Sequence, residues 1–222
     1  MKCILAAAVG ATLLAATTSA ATIGLTPLDD GTVRVFGGDE VETTDGTLTL
    51  LQSGQNITNS VLEFDLGPLG ASATINSMTL SVALDRLVSN LGPTAEIDIF
   101  AYGGDGAVTL ADYDAPGTQV FDASIPTGGS QLDMVSFDLT DVAPFQSQLP
   151  DLVTLRLETD SFASIVFLSM EQAFGAEFSP TLTIDFTPGS VTSVPIPGAL
   201  PLFAAGLAMF GCTRSRKRKA KA

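Results

Sequence analysis

The sequence predicts an all-β fold, an antiparallel β-sandwich or jelly roll of nine or ten strands. Three observations predict it. Between Val33 and Phe186, apolar residues alternate with polar ones in short runs. Those runs are punctuated by many of the 21 Gly and 12 Pro residues and are rich in Val, Ile, Leu and Thr, a mix that favours strands and tight turns. They also follow one another without the intervening helical patterns that parallel βαβ units require.

Taken in order, Val33–Phe36 and Leu48–Leu51 are short strands. Val61–Leu66 sets Leu62, Phe64 and Leu66 on one face and Glu63 and Asp65 on the other, and Pro68 and Gly70 end it. Ile75–Leu84 sets Met78, Leu80, Val82 and Leu84 together. Ile97–Tyr102 follows Pro93, and Val120–Phe121 is a brief strand. In Leu132–Leu139, Val135, Phe137 and Leu139 face inward, and in Leu152–Glu158, Val153, Leu155 and Leu157 do so. Ile165–Met170 is continuously apolar, as a strand buried on both faces would be. Leu182, Ile184 and Phe186 close the set after Pro180. Val142–Leu149 has room for one turn of helix.

The two ends differ from this body. Lys2 precedes the uncharged apolar run Ile4–Ala16, and the small residues Thr17–Ala21 follow, with a cut expected after Ala20 or Ala21. That is the pattern of a secretory signal peptide, a substrate of signal peptidase. At the other end come Val194, Pro195, Ile196, Pro197 and Gly198, then apolar Ala199–Cys212, then the basic cluster Arg214, Arg216, Lys217, Arg218, Lys219 and Lys221. Val194–Cys212 as a helix would be about 28 Å long, against a hydrocarbon core of about 30 Å. Cations that follow an apolar span stay cytoplasmic, as does Lys2, so both ends put the body outside. The expected division is 1–21 signal peptide, 22–187 β-sandwich, 188–193 linker and 194–222 tail.

The tail resembles the PEP-CTERM sorting signal, closest to its VPLPA-type variant, with Ile196 where the family's central Glu stands. The resemblance implies recognition and cleavage near Val194–Pro197 by an exosortase, a membrane protease. It also implies a Gram-negative host that makes exopolysaccharide or biofilm matrix, with the body delivered to the outer envelope or matrix after transient or permanent inner-membrane anchoring. In the body, Val61–Leu66, Ala73–Leu80, Ile97–Tyr102 and Ser179–Ile184 are similar to the strand motifs of the DNRLRE-type β-sandwich. That second resemblance implies a module like the carbohydrate-binding sandwiches of surface and adhesive proteins.

Composition limits the chemistry. There is no His or Trp, and the two Cys lie in the end segments, at Cys3 and Cys212. This excludes His- and Cys-based nucleophile arrangements in the body, and any disulfide there. All 24 acidic residues lie between Asp29 and Asp185, facing only Arg34, Arg86 and Arg156 within that stretch, so nucleic acid is not an expected partner. No catalytic residue is expected, and the chain is read as non-enzymatic. The most site-like loop is Gly103–Asp114. There Asp105, Asp112 and Asp114 would be the ligands if Ca²⁺ were bound as a cofactor, although an ordinary solvated loop is the plainer reading. Tyr102 and Tyr113 carry the polar-tipped rings suited to a wet sugar site. Three function classes stay open: a non-catalytic surface or matrix protein associated with exopolysaccharide, a carbohydrate-binding module, and an extracellular hydrolase built on a carboxylate pair.

Overall fold

The computed structural model describes residues 19–35, 39–43, 46–89, 93–126, 128–172 and 174–189. The chain divides into units at Gly189/Ser190. The apolar runs Ile4–Ala16 and Ala199–Cys212, the sorting residues Val194–Gly198 and the basic cluster lie outside the described residues. Among the described residues, no helix is long and apolar enough to cross a membrane.

Among the described residues, twelve strands and one α-helix follow in order: β1 (Ala21–Leu25), β2 (Asp29–Arg34), β3 (Glu40–Glu42), β4 (Thr47–Ser53), β5 (Asn56–Asp65), β6 (Thr74–Ser89), β7 (Thr94–Gly103), β8 (Thr118–Pro126), β9 (Met134–Leu139), α1 (Ala143–Gln148), β10 (Leu152–Glu158), β11 (Ala163–Leu168) and β12 (Thr181–Thr187). Every pairing is antiparallel. The long β6 serves two layers. Its first part pairs with β12 and β9, and β12 pairs in turn with β1. From Leu84 onward it pairs with β11, which leads through β4, β5, β10 and β7 to β8. The chain is all-β and antiparallel as expected, in a curled arrangement consistent with a sandwich, with twelve strands among the described residues rather than nine or ten.

The core lies between the layers because the period-two pattern turns one face of each strand inward. Leu62, Phe64 and Leu66 meet Met78, Leu80, Val82 and Leu84 in one cluster with Val153, Leu155, Leu157, Ile165, Phe167, Leu182, Ile184 and Phe186. Phe137 of β9 stands edge-on to Phe167 of β11 (centroids 6.2 Å apart) and to Phe121 of β8 (5.0 Å), tying one layer to the other. Helix α1 buries Phe145, and the Gln146 side chain staples the start of β6. Its Oε1 accepts the Ile75 N–H (2.9 Å) and its Nε2 donates to the Ala73 carbonyl (2.9 Å).

Several boundaries differ from expectation. The first strand begins at Ala21, one residue before the expected domain start, and it pairs only with the last strand among those described. Its run Ala-Thr-Ile-Gly-Leu is short and overlaps the segment expected to be a signal peptide, which hid its alternation. The expected strand Val33–Phe36 is shifted to Asp29–Arg34, because Asp29, Asp30 and Gly31 find partners in Glu63, Leu62 and Val61. Leu132 is not in a strand: it takes a positive φ of 70° just before β9, and Val135 is only half-buried. The strand expected through Met170 stops at Leu168, and Met170 is exposed.

Candidate functional site: a polar cleft beneath the Gly104–Gly117 crossing

The outer face of β5, β10 and β7 carries Asn59, Val61 and Glu63, then Thr154, Arg156 and Glu158, then Asp98, Phe100 and Tyr102. The register sets Thr154 between Glu63 and Tyr102, and Arg156 between Val61 and Phe100. Alternation alone would leave this face to solvent. Instead Glu63 is 1%, Thr154 2% and Arg156 7% exposed. The cover is the connection from β7 to β8, residues 104–117, which crosses the face before rejoining the sheet edge.

Polar bonds hold the crossing down. The Gly104 N–H donates to the Leu152 carbonyl (3.1 Å), the Asp105 N–H to Glu63 Oε2 (3.0 Å) and the Val108 N–H to Asp29 Oδ2 (2.9 Å). Glu63 Oε2 also accepts the Thr154 hydroxyl (3.1 Å). Gly104 fits because it has no side chain: a Cβ there would lie 2.5 Å from Glu63 Oε2 and 2.8 Å from Leu152 Cβ. Val108 completes a small second core with Val33 and Val61, flanked by Val41 and Tyr113.

Arg156 is the hub. It pairs with Glu158, donates from Nη1 to the carbonyls of Ala115 (2.6 Å) and Asp112 (3.3 Å), and lies 5.2 Å from the centroid of the Phe100 ring. Asn59 Nδ2 donates to the Tyr113 carbonyl (3.1 Å) and to Glu158 Oε1 (3.4 Å). A cleft of about 310 Å³ opens beside this hub, lined by Asn59, Tyr113, Asp114, Arg156, Glu158 and Asp160, with Gln52, Ile57 and Thr159.

The electrostatics follow from burial. Tyr102 donates its hydroxyl to Asp112 Oδ1 (2.9 Å), and burial, then the Asp112 charge, hold that phenol far above its ordinary range. Tyr113 is also raised, by burial first and then by Glu158 and Asp114. Both phenols are therefore neutral donors across ordinary pH. Burial raises Asp98 as well, against the opposing bond from the Gln119 amide (2.8 Å).

The three expected loop carboxylates have separate roles. Asp105 Oδ1 accepts the Ala107 N–H (3.2 Å). Asp112 is buried and closes a capping box at the 3-10 turn Leu110–Tyr113. Its Oδ2 accepts the Thr109 N–H (2.7 Å) and hydroxyl (3.2 Å), while Oδ1 takes the Tyr102 hydroxyl. Asp114 lines the cleft. Among the described residues, no group of three or more His, Cys, Asp or Glu is arranged to hold a metal ion. Of the two tyrosines singled out, Tyr102 is committed beneath the crossing and Tyr113 faces the cleft.

Sequence reading passed over Asn59, Glu63, Arg156 and Glu158. One signal could have found the hub. Arg156 stands between two inward leucines in a body with 24 acids and three arginines, and a lone cation there needs carboxylate or carbonyl partners.

No family model matches the chain, nor does any curated protein. Among the solved structures similar to the chain are two at 10% identity. One is the N-terminal part of endo-1,4-beta-D-xylanase 10B from Clostridium thermocellum, its CBM22-1 and GH10 modules in complex with xylohexaose; the match covers 80% of this chain and 29% of that one at a TM-score of 0.33. The other is murine APRIL, where the match covers 75% of this chain and 98% of that one at a TM-score of 0.25. At such TM-scores neither neighbour says anything about the cleft.

Proposed function

We propose that the chain is an exported, non-catalytic surface or matrix protein, delivered to the envelope by an exosortase-type protease that reads Val194–Gly198 and associated there with exopolysaccharide. The observation that carries the reading is the pairing of β1 with β12. The first strand, beside the expected signal segment, and the last, before the tail, pair with each other, as suits a body displayed between two targeting segments. Deleting 194–222 tests delivery: surface or matrix display of the module should be lost, and unchanged display contradicts the reading.

A glycan-binding role is favoured by one specific feature, the cleft. The Tyr113 ring sits beside the Asn59 amide, the Arg156 guanidinium and the Glu158 carboxylate, and the mutual bonds of those three hold them in place. Fixed planar donors and acceptors next to a ring suit sugar hydroxyls. The lining carries Asp114, Glu158 and Asp160 against the single cation Arg156, so a neutral or amino-bearing glycan suits it better than an acidic one. Calorimetry with neutral, amino and uronic oligosaccharides tests this. Binding that is lost in Tyr113→Ala supports it, and binding confined to uronic acids, or unchanged in Tyr113→Ala, contradicts it.

A further inference from the structure

We propose that signal peptidase hydrolyses the Ala20–Ala21 bond, leaving Ala21 as the first mature residue, and that it does so before β12 pairs with β1. The proposal rests on the signal-peptide reading of residues 1–21 and goes beyond it by assigning the bond and the order of events. Small residues at the first and third positions before a cut do not decide between bonds here. Thr18 with Ala20, and Ser19 with Ala21, satisfy that requirement equally.

The fold distinguishes the mature chains that the two cuts would leave. Ser19 and Ala20 are exposed and outside any strand. Ala21 is the first residue of β1: it lies opposite Phe186 and packs with Ile23 and Leu25 against the main core. A cut after Ala20 keeps this strand whole and places the new amine at its first residue. A cut after Ala21 would remove one of the five paired positions and one of the three core-facing side chains.

The same geometry sets the order. A protease binds the residues around its scissile bond in extended form. Once β1 is paired, the residue on one side of the bond belongs to a sheet, and no linker separates the bond from the folded domain. Among the described strands only β12 pairs with β1, and Thr181 lies 156 residues beyond Leu25 in the chain. During export the bond therefore stays free until almost the whole domain has emerged, and then it closes. The tail differs: six residues, 188–193, separate β12 from Val194, a reach of up to about 20 Å, so cleavage there is compatible with a folded body.

The test uses the full-length precursor in mild detergent with signal peptidase, followed by N-terminal sequencing of the product. Three preparations are compared: the folded precursor, the precursor freshly diluted from urea, and a precursor carrying Ile23→Ser and Leu25→Ser, which remove two of the contacts that hold β1 to the core. The folded precursor should be cut at least about tenfold more slowly than the other two, because cleavage must wait for local opening of β1. All products should begin at Ala21. A product beginning at Thr22, or equal rates for the folded and freshly diluted chains, overturns the proposal. If no preparation is cut within residues 17–22, the signal-peptide reading fails and the proposal falls with it.

Discussion

Asp30 is fully buried and half-satisfied. Its Oδ2 accepts the Met170 N–H (2.8 Å), while Oδ1 has no partner. Burial, with the nearby charges of Glu171 and Asp29, pushes this carboxyl up to about 8, and only the Met170 amide opposes. Protonation removes this uncompensated buried charge. The folded pKa lies above the unfolded one, so this stabilisation is full below about pH 4 and is lost as pH rises through about 8. Unfolding free energy should fall across that window by no more than about 1.4 kcal/mol per pH unit from this site. Asp30→Asn, which carries a permanent donor, should flatten the slope and stabilise the protein at pH 8. Urea titrations at pH 5, 7 and 9 check both effects, and an unchanged slope in the variant would contradict them. Arg156 has the opposite dependence on its partners. Arg156→Met removes the mate of Glu158 and strands two carbonyls, at an expected cost of about 3 kcal/mol in urea unfolding. Arg156→Lys should recover less than half of that, since an ammonium cannot reproduce the guanidinium fork.

At the scale of elements, the crossing over β5 and β10 depends on Gly104. Gly104→Ala should lift the crossing off Glu63 and Leu152, cost about 1–3 kcal/mol, and speed proteolytic nicking between 104 and 117. Limited proteolysis measures this, and wild-type resistance would show that the crossing tolerates the methyl group. The same element marks where sequence reasoning stopped. Inward faces such as Leu62–Phe64–Leu66 and Val153–Leu155–Leu157 were legible because alternation is a local signal. The burial of Glu63 and Arg156 was not, because it depends on a connection from elsewhere in the chain folding back over the face. Tyr113 was legible as a polar-tipped ring, but its neighbours Asn59 and Glu158 come from strands separated by about a hundred residues. β1 was missed for a related reason: the strand that it pairs with, β12, lies at the far end of the body.

For the whole molecule, the two layers are joined by β6 and by the Phe121–Phe137–Phe167 contacts, with no disulfide to assist them, since neither Cys lies in the body. Phe137→Ala should cost about 3–5 kcal/mol and lower the thermal midpoint cooperatively, without a separate transition for either layer. Calorimetry distinguishes one transition from two. The central claim concerns what becomes of the whole chain, and the intact mass of the protein recovered from its native envelope or medium tests it most directly. The account expects a species that lacks the N-terminal signal and everything beyond about Val194–Pro197. A species that retains the apolar segment and the basic cluster through Lys221 would contradict sorting by the tail.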